Sequence, residues 1–326
     1  MNSSLHTSLD GYVSKTFTFE STPEGGDILA DVVYPEEMDG SPKTVLIHYH
    51  GGFLIIFVTP DYRLIPETTA HAALDNAVHA YEWVRFVLPG LLGCEVSSVL
   101  LTGSSAGGYL ALSTASVVAK KPEALLLIYG MLDPAGTRYI TPGSNIFQRP
   151  VIDTEPVLKE FPKRGESEER DVISGYPLPE NPANDRRMAL ISALHIDALF
   201  PDYLTGISGL SQSIVSRGIQ AIPEEHHRIF PLSISSLANM PRTMLLHGMN
   251  DSAVPVECSL QAQKNLRAAG SDVFVEFPED AEHGFDARIG NLNVEGRDGD
   301  DIPAVESLRR VISFLDSSAA SGSKIS

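Results

Sequence analysis

Short apolar-rich runs recur along the chain at residues 44–49, 98–102, 123–129 and 242–247, with a last strand at 272–277. Runs of this length without polar alternation predict strands buried on both faces, as in a parallel sheet. Between them the period lengthens to that of a helix. Ala72, Ala73, Leu74, Ala77, Val78, Tyr81, Trp83 and Val84 fall on helical spacing. A small-residue helix follows Gly108 and runs to about residue 119, a third spans 256–269 and is closed by Gly270, and an amphipathic helix spans 302–315. This alternation predicts an α/β fold with a mostly parallel central sheet flanked by helices. Ahead of it, residues 12–20 and 27–34 are rich in strand formers, and Ser-Thr-Pro-Glu-Gly-Gly lies between them. That is the pattern of a hairpin. The last ten residues, 317–326, are mostly small and polar and read as a loose tail.

Two stretches depart from the alternation. Residues 54–59 look like another buried strand but begin almost at once after Gly51-Gly52. Neighbouring parallel strands need a crossover of about a dozen residues. The segment is therefore not a second parallel strand, or the sheet is rearranged there, or a helix is missing. From Pro134 proline and glycine become frequent and periodicity weakens. Helical spacing returns at Met188, Ala189, Leu190, Leu194, Ile196 and Leu199, and again around Ile214 and Ile219. This divides the chain into a core, residues 1–133 and 236–326, and an inserted subdomain, residues 134–235, placed to shape a pocket.

Composition narrows the function classes. The 326 residues carry 42 acidic and 24 basic side chains, a formal charge of −18, which disfavours phosphate backbones and anionic membranes. Nucleic acid is not an expected partner, and a homodimer is left open. Two cysteines, Cys94 and Cys258, suggest no disulfide framework and fit a reducing compartment. No leader pattern or membrane-spanning run is evident, so a cytoplasmic location is expected. His226-His227 beside Glu224 and Glu225 are metal-ligating residue types, but adjacent histidines rarely face the same way. A polar surface turn is the expectation there; no metal or other cofactor is expected.

The candidate chemistry centres on Gly103-Ser104-Ser105-Ala106-Gly107, between an apolar strand and a small-residue helix. A strand, sharp turn and helix present a serine hydroxyl at the rim of a sheet. Ser105 is the candidate nucleophile, and the amide of Ala106 faces the place where an oxyanion would form. Such a serine needs a base, and the base needs a carboxylate to orient it. Asp251 follows the strand at 242–247, and His283 follows the strand at 272–277. Ser, then Asp, then His is the chain order of this type of fold, and in a parallel sheet those strand ends lie on the same edge as the serine turn. Asp280, Glu282 and Asp286 read as supports of the histidine loop. His50-Gly51-Gly52-Phe53 follows the first buried strand and could donate backbone amides to the oxyanion, with His50 holding the loop.

These motifs, together with Asp61-Tyr62-Arg63-Leu64-Ile65-Pro66-Glu67, the stretch from His247 to Pro255 and His283-Gly284-Phe285, resemble the hormone-sensitive-lipase-like branch of the α/β-hydrolases. The resemblance runs from about residue 44 to the end and is weakest in the insert. It implies an eight-stranded, mostly parallel sheet, a helical cap over the site and hydrolysis of a carboxylic ester. It further implies an oxyanion hole from Gly51, Gly52, Phe53 and Ala106. The glycine loop lacks the family's usual third glycine, and Ser104 stands where an acidic residue is commoner. The helix normally found between that loop and Asp61 has no room, a shortfall of about twenty residues. The expected function is a serine esterase acting through an acyl-enzyme on a small or medium metabolite. The alternatives are a binding protein on an impaired hydrolase scaffold, or an acyltransferase or thioesterase with the same triad.

Overall fold

The computed structural model describes residues 11–38, 40–49, 56–163, 172–175, 185–234 and 237–290, and from there to 322 all but residues 291, 295, 297–298 and 301. Eight strands form one sheet in the order β1-β2-β4-β3-β5-β6-β7-β8. The expected hairpin is β1 (Tyr12–Ser21) against β2 (Asp27–Pro35), antiparallel, with a bulge between Thr18 and Glu20. β2 also pairs antiparallel with β4 (Ile56–Pro60). Every neighbouring pair from β4 onward is parallel, through β3 (Lys43–Tyr49), β5 (Val96–Ser104), β6 (Ala124–Ile128), β7 (Arg242–Leu246) and β8 (Val273–Glu276). This is the α/β-hydrolase fold.

β4 answers one of the three readings of residues 54–59. It is a parallel neighbour of β3, with Val45 opposite Ile56. Only residues 50–55 separate the two strands; they, and with them the expected loss of a helix, lie outside the described residues.

Side chains alternate across the sheet and build two cores. Val45, Ile47 and Tyr49 point to one side with Leu101, Leu125, Leu127 and Leu245, and pack against α1 (Ala70–Phe86) and α3 (Ala106–Val117). The short α2 (Leu88–Leu92) caps this side and ends on Gly93 at φ +63°. Leu46, Leu100, Leu126, Met244 and Leu246 point to the other side and meet Val311 and Phe314 of the C-terminal helix. Each such leucine contributes about 1.5–3 kcal/mol by leaving water.

Between β6 and β7 the chain forms α4 (Thr137–Ile140), α5 (Glu155–Glu160), α6 (Arg186–Ile196), α7 (Phe200–Thr205) and α8 (Leu210–Arg217), with 3-10 turns at 146–148, 219–221 and 224–229. The helical spacing at 188–199 runs on to Leu199, but α6 stops at Ile196 and a separate helix begins at Phe200. Ala198 sits at φ +56°, and Pro201 then opens α7 in the first turn, where a missing N–H costs nothing. Likewise α8 stops before Gly218, at φ +80°, so Ile219 falls in the next turn.

After β7 come α9 (Glu257–Ala268), α10 (Phe285–Arg288) and α11 (Pro303–Gly322). The tail expected from residue 317 is instead helix as far as 322. The hydroxyls of Ser317 and Ser318 donate back to the Phe314 carbonyl at 2.9 and 2.7 Å, and Ala319 packs against the second core. Small polar residues can thus continue a helix when their hydroxyls turn inward onto its own backbone.

His226 and His227 occupy a 3-10 turn and point to different partners. His226 Nδ1 lies 2.9 Å from His71 Nε2, and His227 Nε2 lies 3.2 Å from the Ile222 carbonyl. Among the described residues no three His, Cys, Asp or Glu side chains are grouped so that they could hold a metal ion, and no helix is long and apolar enough to cross a membrane.

Candidate active site

The turn between β5 and α3 is crowded enough to dictate its own sequence. A Cβ on Gly103 would stand 2.1 Å from the Gly107 carbonyl oxygen, and one on Gly107 would stand 2.2 Å from the Tyr49 carbonyl oxygen. Both obstacles are backbone and cannot swing away. Ser105, the residue between, is held at φ +55°, ψ −120°. A non-glycine residue there costs on the order of 1–3 kcal/mol and persists only where its surroundings impose it. They do: the Ser105 amide donates to the Ile128 carbonyl at 2.9 Å, and its carbonyl accepts from Gly108 and Met131 at 3.1 and 3.0 Å. Ser105 caps α3, so Ala106 carries the first helical amide, one of those with no partner inside the helix.

The loops after β7 and β8 bring two further side chains to this hydroxyl. His283 Nε2 is 3.1 Å from Ser105 Oγ, and His283 Nδ1 is 2.7 Å from Asp251 Oδ2. A carboxylate only accepts, so Nδ1 carries the proton and Nε2 turns its lone pair toward the hydroxyl. The Asp251 side chain is fully buried, yet both of its oxygens are engaged. Its Oδ1 accepts from the Ala253 and Val254 amides at 2.9 and 2.8 Å. His247 Nε2 approaches Oδ2 at 3.3 Å. Burial alone would raise the Asp251 pKa, but the bonds from His247, His283 and the Val254 amide outweigh it and hold the carboxyl well below the usual range.

His247 is itself fixed. Its Nε2 is 2.8 Å from the Val254 carbonyl, which can only accept, so that nitrogen bears the proton and Nδ1 accepts from the Ser259 hydroxyl at 2.7 Å. The loops are stitched to one another. Glu282 accepts from the Ser252 amide and hydroxyl at 3.2 and 3.0 Å, and Gly248 passes so close to Ala281 that a Cβ would meet its carbonyl oxygen at 2.2 Å. Tyr129, at φ +36°, lays its ring 4.4 Å from the His283 ring and donates to Asp286 at 2.6 Å. Burial and that carboxylate push the phenol far up, so it stays a donor. Phe147 meets His283 edge-on at 6.0 Å, its amide held by the Ser252 carbonyl at 3.1 Å.

A cavity of about 720 Å³ opens on Ser105, Ala106 and His283. Its walls are mostly apolar, from Ala70 and Ala73 of α1, Leu190 and Leu194 of α6, Phe200 of α7 and Val254. That volume suits a small organic molecule rather than a polymer.

The structure thus brings Ser105, Asp251 and His283 together and sets Ala106 beside them. Gly51, Gly52, Phe53 and His50 lie outside the described residues. Glu282 and Asp286 support the histidine loop as their position suggested. Sequence reasoning gave no individual role to His247, Ser259, Tyr129 or Phe147. His247 left a signal, an imidazole ending an otherwise apolar strand; Phe147 left none, because its placement depends on Ser252, a hundred residues away.

A family model described as the α/β-hydrolase fold matches residues 40–160, and one for the prolyl oligopeptidase family matches residues 217–293. The chain is 29% identical over 320 residues to the non-reducing polyketide synthase Preu3 of Preussia isomera, covering 80% of this chain but 12% of that one. It therefore spans about an eighth of the length of that relative. Among solved structures, brefeldin A esterase, a bacterial homologue of human hormone-sensitive lipase, superposes with TM-score 0.58 and 17% identity, covering 99% of this chain and 80% of that one. A bacterial heroin esterase superposes with TM-score 0.57 and 19% identity, covering 94% and 86%. At these identities the structural matches speak for the fold.

Proposed function

We propose that this chain, which has the α/β-hydrolase fold, is a serine hydrolase that cleaves an acyl ester through an acyl-enzyme. The observation that carries the proposal is the run of contacts from Asp251 through His283 to a hydroxyl held on a strained turn. Ser105 Oγ attacks the ester carbonyl while its proton passes to His283 Nε2. The carbonyl π electrons move to oxygen, and the Ala106 amide, at the positive end of α3, stabilises that charge. The C–O bond to the leaving group then breaks, and His283 returns the proton to the departing oxygen. Water repeats the sequence on the acyl-enzyme, with His283 first as base and then as acid, releasing the acid and restoring Ser105. Asp251 keeps the imidazole in the required tautomer and stabilises its cation. The resemblance assigns further oxyanion donors to Gly51, Gly52 and Phe53. It also makes residues 134–235 a cap over the hydrolase core formed by residues 1–133 and 236–326.

A second reading has one specific observation behind it. The similarity to polyketide synthases favours a substrate that is an acyl chain at the end of its assembly, held as a thioester, with the same serine taking it up before water or an alcohol receives it. Both readings share the acyl-serine, and the leaving group separates them. Purified chain is assayed for kcat/KM on matched oxygen esters and thioesters of the same acid. Turnover of either, lost in Ser105→Ala, supports the proposal, and the better leaving group assigns the reading. Binding of the esters with no turnover of any member points to an impaired hydrolase scaffold and overturns it.

A further inference from the structure

The cavity is apolar except at a few points, and one of them is used by neither the relay nor the fold's other hydrogen bonds. His195 lies near the end of α6, flanked on its own helix by Ile191 and Leu194, which line the same cavity. The residue is 1% exposed. Its ring is clamped between aromatic neighbours, Phe200 edge-on at 4.6 Å and Tyr139 at 5.6 Å. Its Nδ1 is buried and has no hydrogen-bond partner among the described residues. Buried polar groups in native proteins are satisfied as a rule, so an unmatched one calls for a cause. A phenylalanine would fill an apolar wall without this defect.

We propose that His195 is a specificity-determining residue, the hydrogen-bonding partner of a hydroxyl or carbonyl oxygen carried on the otherwise apolar body of the substrate. The inference rests on the hydrolase reading above and narrows its substrate class to oxygenated, compact acyl or aryl esters. Plain aliphatic esters would leave the imidazole unmatched. Burial, with Arg138 adding to it, lowers the imidazole pKa to about 3, so the ring is neutral at pH 7 and offers one donor and one acceptor. A substrate hydroxyl can meet either face of that pair, and a carbonyl can meet the N–H. Neutrality also means that His195 itself does not call for a charged group. A pocket built to hydrogen-bond a substrate oxygen rejects the analogue that lacks it far more sharply than an apolar pocket rejects an extra group. One clamped imidazole can therefore set selectivity that the surrounding leucines and isoleucines cannot.

The test reads binding apart from turnover, so that a dead enzyme does not obscure it. Ser105→Ala chain is titrated by calorimetry with ethyl hydroxybenzoates and the isosteric ethyl methylbenzoates, substituted ortho, meta or para. The proposal expects at least one hydroxyl isomer to bind about tenfold or more tighter than its methyl partner. Adding His195→Phe should bring that pair within about threefold, while His195→Gln, which still offers a donor and an acceptor, should keep part of the preference. If His195→Phe does not fold, the Ser105→Ala panel decides alone. No isomer preferred over its methyl partner, or a preference that survives in a folded His195→Phe chain, overturns the assignment. Failure of the hydrolase reading would show separately, as absence of ester and thioester turnover by the unmodified chain.

Discussion

His247 Nε2 stands 3.3 Å from Asp251 Oδ2, so the carboxylate that orients His283 is gripped by a second, wholly buried imidazole. The two histidines approach the same oxygen from different elements, one at the end of β7 and one beyond β8. Replacing His247 by leucine would leave the Val254 carbonyl and the Ser259 hydroxyl without their partner and free one side of Asp251. Urea unfolding should show a loss of about 2–4 kcal/mol. The folded fraction should show kcat/KM lower by about 10- to 100-fold, because the relay geometry loosens. A variant with unchanged kcat/KM would mean that His283 is positioned without this support.

The depressed pKa of Asp251 has a sign that can be measured. The carboxyl binds its proton less readily folded than unfolded, so its contribution is fully present above the ordinary aspartate value, near pH 4, and fades as pH falls toward the folded value. Asp251→Asn should be less stable than the unmodified chain at pH 7. The difference in urea midpoint should narrow as the pH falls from about 4 toward about 3. Parallel curves across that range would deny the carboxylate its role in acid stability.

The elbow predicts two opposite effects from changes two residues apart. Gly107→Ala drives a methyl into the Tyr49 carbonyl and should cost about 3 kcal/mol or more. Ser105→Gly relieves a positive φ and should raise stability by about 1 kcal/mol, a gain that Ser105→Ala does not share. Thermal unfolding of the three variants side by side checks the pattern. Equal melting temperatures for Ser105→Gly and Ser105→Ala would mean that the turn stores no strain.

Much of this arrangement was legible in the chain because strand ends are local events. Val99-Leu100-Leu101 running into Gly103, and Leu245-Leu246-His247 running into Asp251, mark a strand and its terminating loop from neighbouring residues alone. The parallel sheet then carries those loops to one rim, so Ser105, Asp251 and His283 could be named from order and position. What could not be read depends on contacts across the chain. Ala198 breaks a helical pattern that spacing alone continues, and Phe147 finds its place from Ser252. The serine-rich end of α11 is helical because Ala319 and its neighbours reach the second core. β4 was legible as a strand but not as β3's parallel neighbour, since a connection of six residues lies below the usual crossover length.

The central claim is that Ser105 is made nucleophilic by His283. Labelling with a fluorophosphonate, located by peptide mass spectrometry, measures it most directly. The unmodified chain should be labelled at Ser105, labelling should vanish in Ser105→Ala, and its rate should fall by a factor of about 1,000 or more in His283→Ala. An unlabelled wild-type chain, or labelling at Ser105 that proceeds equally fast without His283, would contradict it.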